Sequence, residues 1–219
     1  MAAADASLAL LAYADVVAGC EKCVLSKTRT QVVFGAGSPT ADLMFVGEAP
    51  GFHEDKQGVP FVGAAGQLLS KLLAGIGLTR DEVYIANVLK CRPPGNRDPQ
   101  QDEIESCESH LFKQIELIRP KVVATLGNFA TKLLSGKPDG ITRVHGVPQE
   151  VVLGGNHVVL FPIFHPAAAL YTPRMLDVLA ADFARLPELL GAALAPVEVE
   201  EESSENATVS EPNVQLGLF

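Results

Sequence analysis

The chain has 219 residues, 47% of them hydrophobic, and a formal net charge of −9. That length and composition suit one α/β-sized domain with a sizeable core, and no apolar run reaches the 18 or so residues of a membrane span. Taken whole, the acidity argues against a nucleic-acid ligand. It is uneven, however: residues 191–219 hold six Glu and no Lys or Arg, which leaves 20 acids against 17 bases in the body. A body so close to neutral can still present a local basic face.

In chain order, MAAADASLALLAYADVVAG reads as a helix carrying Asp5 and Asp15. It lacks the basic n-region of a signal peptide, which predicts a cytoplasmic protein. Cys20 and Cys23 follow as C-x2-C. The apolar run Leu43 to Val46 reads as the first strand of a parallel sheet, extending over 42–47 and breaking into Gly47-Glu48-Ala49-Pro50-Gly51. Gly66 to Gly77 is a helix with Leu68, Leu69, Leu72 and Leu73 on one face. Val83 to Leu89 is the second strand, and Pro99 to Ile118 a long helix with Asp98 as N-cap, stopped by Pro120. Val122 to Leu126 is the third strand, Val144 to Leu153 a hairpin arm broken at Pro148, and Val158 to Phe164 the last strand. Alternating buried strands and helices predict a three-layer α/β/α sandwich over residues 1–190 with a central four-stranded parallel sheet. Residues 191–219, with VEVEEESSENATVSEPN, have the composition of a disordered acidic tail.

The carboxyl ends of parallel strands are where such sheets bind ligands. Glu48 follows the first strand there, Asn87 sits near the end of the second, Gly127 and Asn128 follow the third, and His165 follows the fourth. Phe61 lies in the loop between the first strand and its helix. A carboxylate, an amide, an imidazole and a ring on one edge form a set able to read a base. His53, His110 and His157 have no such placement and read as surface residues. The four thiols, Cys20, Cys23, Cys91 and Cys107, read as metal ligands in a reducing compartment. Their spacing fits an iron–sulfur cluster, fits zinc less well because the second pair is wide, and also admits unligated buried cysteines.

GEAPG at 47–51, PFVGAAGQLL at 60–69, YIANVLKCRPP at 84–94 and FHPAAAL at 164–170, together with the four cysteines, resemble the family 4 uracil-DNA glycosylases, the iron–sulfur enzymes of bacteria and archaea. The resemblance spans about residues 18–190. It implies the uracil-glycosylase fold, a [4Fe–4S] cluster on Cys20, Cys23, Cys91 and Cys107, and removal of uracil from DNA as the opening step of base-excision repair. It implies that Phe61 stacks on the base, Asn87 bonds its Watson–Crick edge, a backbone N–H near Ala49 helps hold it, His165 donates to O2, and Glu48 handles water or the cationic sugar. Leu170 or Tyr171 would wedge into the duplex, with Arg174 closing the same loop, and Lys90, Arg92, Arg97 and Arg143 would meet phosphates. In ITRVHG, His145 stands where relatives often carry Arg, a departure from the family pattern at a position expected to make a groove or phosphate contact. The alternatives are the broader-specificity family 5 glycosylases, whose first motif lacks the acid, and a non-catalytic iron–sulfur module; Glu48 speaks against the first, and Glu48, Asn87 and His165 together against the second.

The chain closes on Gln215-Leu216-Gly217-Leu218-Phe219 after its acidic linker. This resembles the bacterial sliding-clamp-binding pentapeptide, with Gln215 at a pocket rim and Leu216, Leu218 and Phe219 in apolar pockets. The expected protein is a monomer that meets DNA in the nucleoid, tethered by this tail to the clamp.

Overall fold

A computed structural model describes residues 3–194. The elements run α1 (Ala3–Ala18), β1 (Ala36–Gly37), β2 (Leu43–Gly47), α2 (Phe52–Gln57), α3 (Ala64–Gly75), β3 (Tyr84–Asn87), α4 (Gln101–Ile118), β4 (Val122–Leu126), α5 (Asn128–Ser135), α6 (Ile141–Val144), β5 (Gln149–Leu153), β6 (Asn156–Ile163), α7 (Ala167–Tyr171), α8 (Arg174–Ala184) and α9 (Leu186–Leu194). Single 3-10 turns at Val24–Lys27 and Pro94–Asn96 punctuate the loops. Among these residues no helix is long and apolar enough to cross a membrane. Gln215, Leu216, Leu218 and Phe219, like the rest of the tail from 195 on, lie outside the described residues.

One sheet carries all six strands in the order β1-β3-β2-β4-β6-β5. The four central strands are parallel, as their unbroken apolar runs require of strands covered on both faces. Two antiparallel edges extend the expected four-stranded sheet. At one end β1 bridges β3 through Ala36 and Gly37. At the other, β5 folds back on β6 through the two-residue turn Gly154-Gly155, both with positive φ, as tight hairpins demand. The hairpin arm is shorter than its sequence reading, because 141–144 coil into α6 before Pro148.

Alternation within the strands builds a core on each face. Met44 and Val46 of β2 join Tyr84 and Ala86 of β3 under α1 and α4, against Leu10, Leu111 and Ile115. Leu43 and Phe45 join Ile85, Ala124 and Phe161 under α3, α8 and α9, against Leu69, Leu73, Phe183 and Leu186. Each such side chain, fully buried, contributes roughly 1.5–3 kcal/mol. The Phe45 and Phe183 rings stack at 5.6 Å.

Three sequence expectations need correction. The long helix opens at Gln101 with Gln100, not Asp98, as N-cap: a capping box links Gln100 and Glu103, whose Oε2 accepts the Gln100 N–H at 2.9 Å. Lys90 is no phosphate ligand. It is 1% exposed, and its ammonium donates to the Asn87 carbonyl at 2.8 Å and to Gln114 Oε1 at 2.5 Å. His110 is no surface histidine either, being 5% exposed beneath α1 with Nδ1 at 2.7 Å from the Tyr13 hydroxyl. His53 and His157 are exposed, as expected.

Glu103 also takes the Arg97 fork through both oxygens, at 2.9 and 2.5 Å, with its own side chain wholly buried. Those hydrogen bonds from Arg97 hold its carboxyl below the usual 4.5, against the opposing effect of burial. A depressed folded pKa adds stability that is present above the unfolded value and lost as pH falls through the folded one. Glu103→Gln is therefore expected to lower the urea midpoint at neutral pH, and the gap from the parent should close as the pH falls below the usual 4.5 and through the depressed folded value. A gap of constant size across that range would mean that the loss is not electrostatic.

Candidate active site

The carboxyl edge of the parallel strands opens into a cleft of about 690 Å³ lined by Glu48, Ala49, Phe52, Phe61, Asn87, Asn96, Arg97, His165 and Tyr171, among others. Its floor depends on Gly47, the last residue of β2, which pairs with Asn87 across to β3. A Cβ on Gly47 would lie 2.5 Å from Asn87 Oδ1 and 2.6 Å from Phe61 Cζ. Only a residue without a side chain lets the carboxamide and the ring close over the strand end. Asn87 is 2% exposed, and its Oδ1 is the one buried side-chain N or O atom among the described residues without a hydrogen-bond partner. An orphaned buried acceptor costs about 1–3 kcal/mol, so it is a group waiting for a donor.

Phe61 is held with unusual firmness. Its φ is +54°, a strained value for an aromatic residue. The Arg80 guanidinium forks onto the carbonyls of Pro60 and Phe61 at 2.7 and 3.1 Å. Glu54 Oε1 accepts the Val62 and Gly63 N–H groups, both at 2.9 Å. Gly66 lets α3 approach so closely that a Cβ there would sit 1.7 Å from the Phe61 carbonyl oxygen. Arg80 and Glu54 are positioning residues that sequence reasoning missed. Neither lies in an apolar pattern, and their partners are backbone atoms.

The Phe61 ring stacks on the His165 ring at 5.6 Å and 30°. His165 Nδ1 accepts the Ala167 N–H at 3.2 Å, which leaves the proton of the neutral ring on Nε2. Burial pushes the His165 pKa down to about 4, so the ring is neutral at physiological pH. Gly127, at φ +94°, makes room behind it, since a Cβ there would be 3.3 Å from the His165 Cβ. Glu48 is half-buried on the cleft wall, and burial, with the Asp98 charge second, lifts its carboxyl to about 7. The cleft thus combines an acceptor seeking a donor, a neutral imidazole N–H and a carboxyl poised near neutrality. Asn128, by contrast, has a structural task, its Oδ1 accepting the Ile141 N–H at 2.7 Å.

The expected DNA contacts divide. Tyr171 is 87% exposed and Leu170 46%, both on α7 beside the cleft, and Arg174 is exposed at the start of α8. Arg92 is half-buried, its Nε bonded to Asn96 Oδ1 at 2.7 Å. Arg97 lines the cleft while paired to Glu103. Arg143 projects from α6, 82% exposed, loosely paired to Asp139 at 3.3 Å. His145 is set back: its Nδ1 lies 3.2 Å from Asp182 Oδ2 and its ring 4.5 Å from that of Phe164.

On the α1 and α4 side, Cys20, Cys23, Cys91 and Cys107 all line one small cavity. Polar groups approach three of the sulfurs: Arg29 Nη1 at 3.4 Å from Cys91, the Lys90 N–H at 3.3 Å from Cys107, and His110 Nε2 at 3.3 Å from Cys20. Burial pushes the free Cys91 thiol up to about 11, against the pull of Arg29. Among the described residues no three His, Cys, Asp or Glu close on a single ion. Four thiols around a shared space fit a polynuclear centre instead, and the three N–H donors suit thiolates rather than thiols.

Comparison with known proteins agrees with this geometry. The sequence profile of the Uracil DNA glycosylase superfamily matches residues 34–186. The type-4 uracil-DNA glycosylase of Sulfurisphaera tokodaii is 48% identical over 180 residues, 80% of this chain and 82% of the relative. That of Archaeoglobus fulgidus is 49% identical over 179 residues, 80% of this chain and 90% of the relative. That of Thermotoga maritima is 48% identical over 149 residues, covering 68% and 76%. A matched segment that holds the cleft-lining strands, and relatives of this closeness, lead to one conclusion: the chain belongs to the uracil-DNA glycosylase superfamily, alongside its type-4 members.

Proposed function

We propose that this protein hydrolyses the N-glycosidic bond of uracil in DNA, with the flipped base held in the cleft over Gly47. The observation that carries the reading is the buried, unpartnered Asn87 Oδ1 beside the Phe61 ring. Uracil offers N3–H to that acceptor and O4 to the amide N–H2 of the same side chain; cytosine presents the opposite pattern and leaves two buried polar groups mismatched. Phe61 supplies the stacking face, and the backbone N–H near Ala49 adds a donor at the wall. His165, neutral with its proton on Nε2, donates to O2 as negative charge gathers on the departing base. A neutral donor loses no proton and needs no counter-charge. Glu48, as carboxylate, orients water or steadies the cationic sugar. The exposed Tyr171, Leu170, Arg174 and Arg143 form the face that meets the duplex.

Cys20, Cys23, Cys91 and Cys107 would hold a [4Fe–4S] cluster in the cavity they line. Bound there, it would tie the segment after α1 and the loop after β3 to α4, a cross-link between parts distant in sequence. Arg29, His110 and the Lys90 N–H would donate to its thiolate sulfurs, and each is already within 3.4 Å. The resemblance of the last five residues to a clamp-binding pentapeptide motivates a third element of the proposal, that Gln215, Leu216, Leu218 and Phe219 dock on the sliding clamp and so keep a monomeric enzyme close to DNA in the nucleoid.

Single-turnover release of uracil from a U·G duplex, with T·G as control, tests the activity. His165→Ala is expected to slow it by about 10²-fold or more, as for loss of an oxyanion donor, and Asn87→Asp to weaken the preference for uracil over cytosine. In the parent, the rate should climb with pH through about 7 as Glu48 ionises, and Glu48→Gln should flatten that rise. No uracil release from the U·G duplex would refute the reading.

Protein purified without oxygen is expected to be brown and to hold about four irons per chain. Cys107→Ala should shed iron and lower the melting temperature; stoichiometric zinc without iron would exclude the cluster. Deleting residues 215–219 should leave cleavage of short duplexes unchanged and abolish clamp binding in calorimetry. Equal affinity of the full and shortened chains would remove the tail from this scheme.

A further inference from the structure

Phe52 opens α2, immediately after the Gly51 that ends the first strand's turn. It is 50% exposed and belongs to neither core cluster, yet it lines the wall of the cleft. The Arg92 guanidinium carbon sits 5.1 Å from its ring centroid and Lys56 Nζ 5.8 Å from it. Arg92 is fixed by its bond to Asn96 Oδ1, so the guanidinium is presented rather than free. His53 packs edge-on at 5.5 Å and 84°, keeping the ring upright.

The two acids of α2 have partners of their own. Glu54 is occupied by the Val62 and Gly63 N–H groups, and Asp55 is 3% exposed and accepts the Thr30 N–H at 2.8 Å. The rim therefore offers a half-exposed aromatic ring with two positive charges packed over it. Ring and cation side by side are what a single nucleic-acid strand needs, the base on the π-face and the phosphate on the charge. A surface cation–π cluster kept only for stability would have no reason to stand on the wall of the cleft.

We propose that Phe52, with Arg92 and Lys56, is a stacking platform for the nucleotide that flanks the flipped uracil on the same strand. The proposal rests on the uracil reading above. When the uracil enters the slot between Phe61, Asn87 and His165, its neighbour is drawn onto the rim unpaired and unstacked. The platform gives that neighbour a new stacking partner, which offsets part of the cost of extrusion. Any base suffices, because every base has a π-face.

The test uses the full chain with its metal centre as purified. Single-stranded oligonucleotides carry a 2′-fluoroarabino-uridine that resists cleavage. The nucleotide 5′ or 3′ of it is either an ordinary one or a base-less tetrahydrofuran. Phe52→Ala is expected to weaken binding of one of the two ordinary-neighbour arrangements by about 5- to 150-fold. The matching base-less probe should bind the parent equally weakly, and the variant should lose little more on it. Phe52→Leu should behave as Phe52→Ala, whereas Phe52→Trp should bind as the parent does. Far-UV circular dichroism and thermal melting of Phe52→Ala should match the parent, which shows the variant folded, and uracil release by the parent from an ordinary single strand separates this test from failure of the uracil reading, in which the parent itself would not cleave. Equal losses on base-bearing and base-less probes, full retention by Phe52→Leu, or no loss on either side would overturn the platform.

Discussion

Everything at the site depends on how closely backbone and side chains approach at the end of β2. Gly47 stands where a Cβ would strike both Asn87 Oδ1 and Phe61. The parallel register sets Gly47 beside Asn87, and the absent side chain lets the ring of Phe61 fold in from the following loop. That loop adopts its strained turn because Arg80 and Glu54 satisfy its backbone and Gly66 leaves space for it. The strain is local and the restraints surround it, which is how such backbone persists. A pocket built in this way is rigid before any ligand arrives, and rigidity is what the proposed discrimination by the Asn87 carboxamide requires.

The cleft and the thiol cavity lie on different parts of the molecule but are joined by one five-residue segment, 87–91. Asn87 ends β3 and Cys91 follows four positions later. Between them, Lys90 turns inward. Its ammonium holds the Asn87 carbonyl and Gln114, its N–H reaches Cys107 Sγ, and its own carbonyl accepts the Val33 N–H at 2.8 Å. A buried ammonium would be costly without these partners; burial already pulls its pKa down to about 8. With them, Lys90 pins the segment that carries the Asn87 carboxamide to the helix that carries the fourth thiol. Support of the thiol cavity is thereby support of the amide's position, though the cavity makes no contact with the base slot.

The four parallel strands were legible because a strand buried on both faces is a continuous apolar run, and the edge residues were legible because they follow those runs. The motif resemblance pointed to Glu48, Asn87, Phe61 and His165, and all four line one cleft. What stayed hidden has physical reasons. A two-residue strand such as β1 has no periodicity to detect. Asp98 and Gln100 are both able to cap, and only the reach of Glu103 decides between them. Lys90 sits in KCRPP, which reads as a basic surface stretch, and its burial is set by Gln114, 24 positions away. His110 pairs with Tyr13 across 97 positions. Local pattern carries no record of such long-range polar pairs.

Net charge misleads for a related reason. The chain is strongly acidic, yet several of its acids are spent inside the fold. Glu54 caps two loop amides, Asp55 one, and Glu103 takes a backbone N–H and a guanidinium. Charges satisfied in this way contribute little to the field outside, because their partners' dipoles and charges lie within a few ångströms. The cations at the rim, Lys56 and Arg92, are by contrast arranged around an exposed ring rather than around a carboxylate. The sign of the partner is therefore set by which charges remain free at the cleft, not by the total over the sequence.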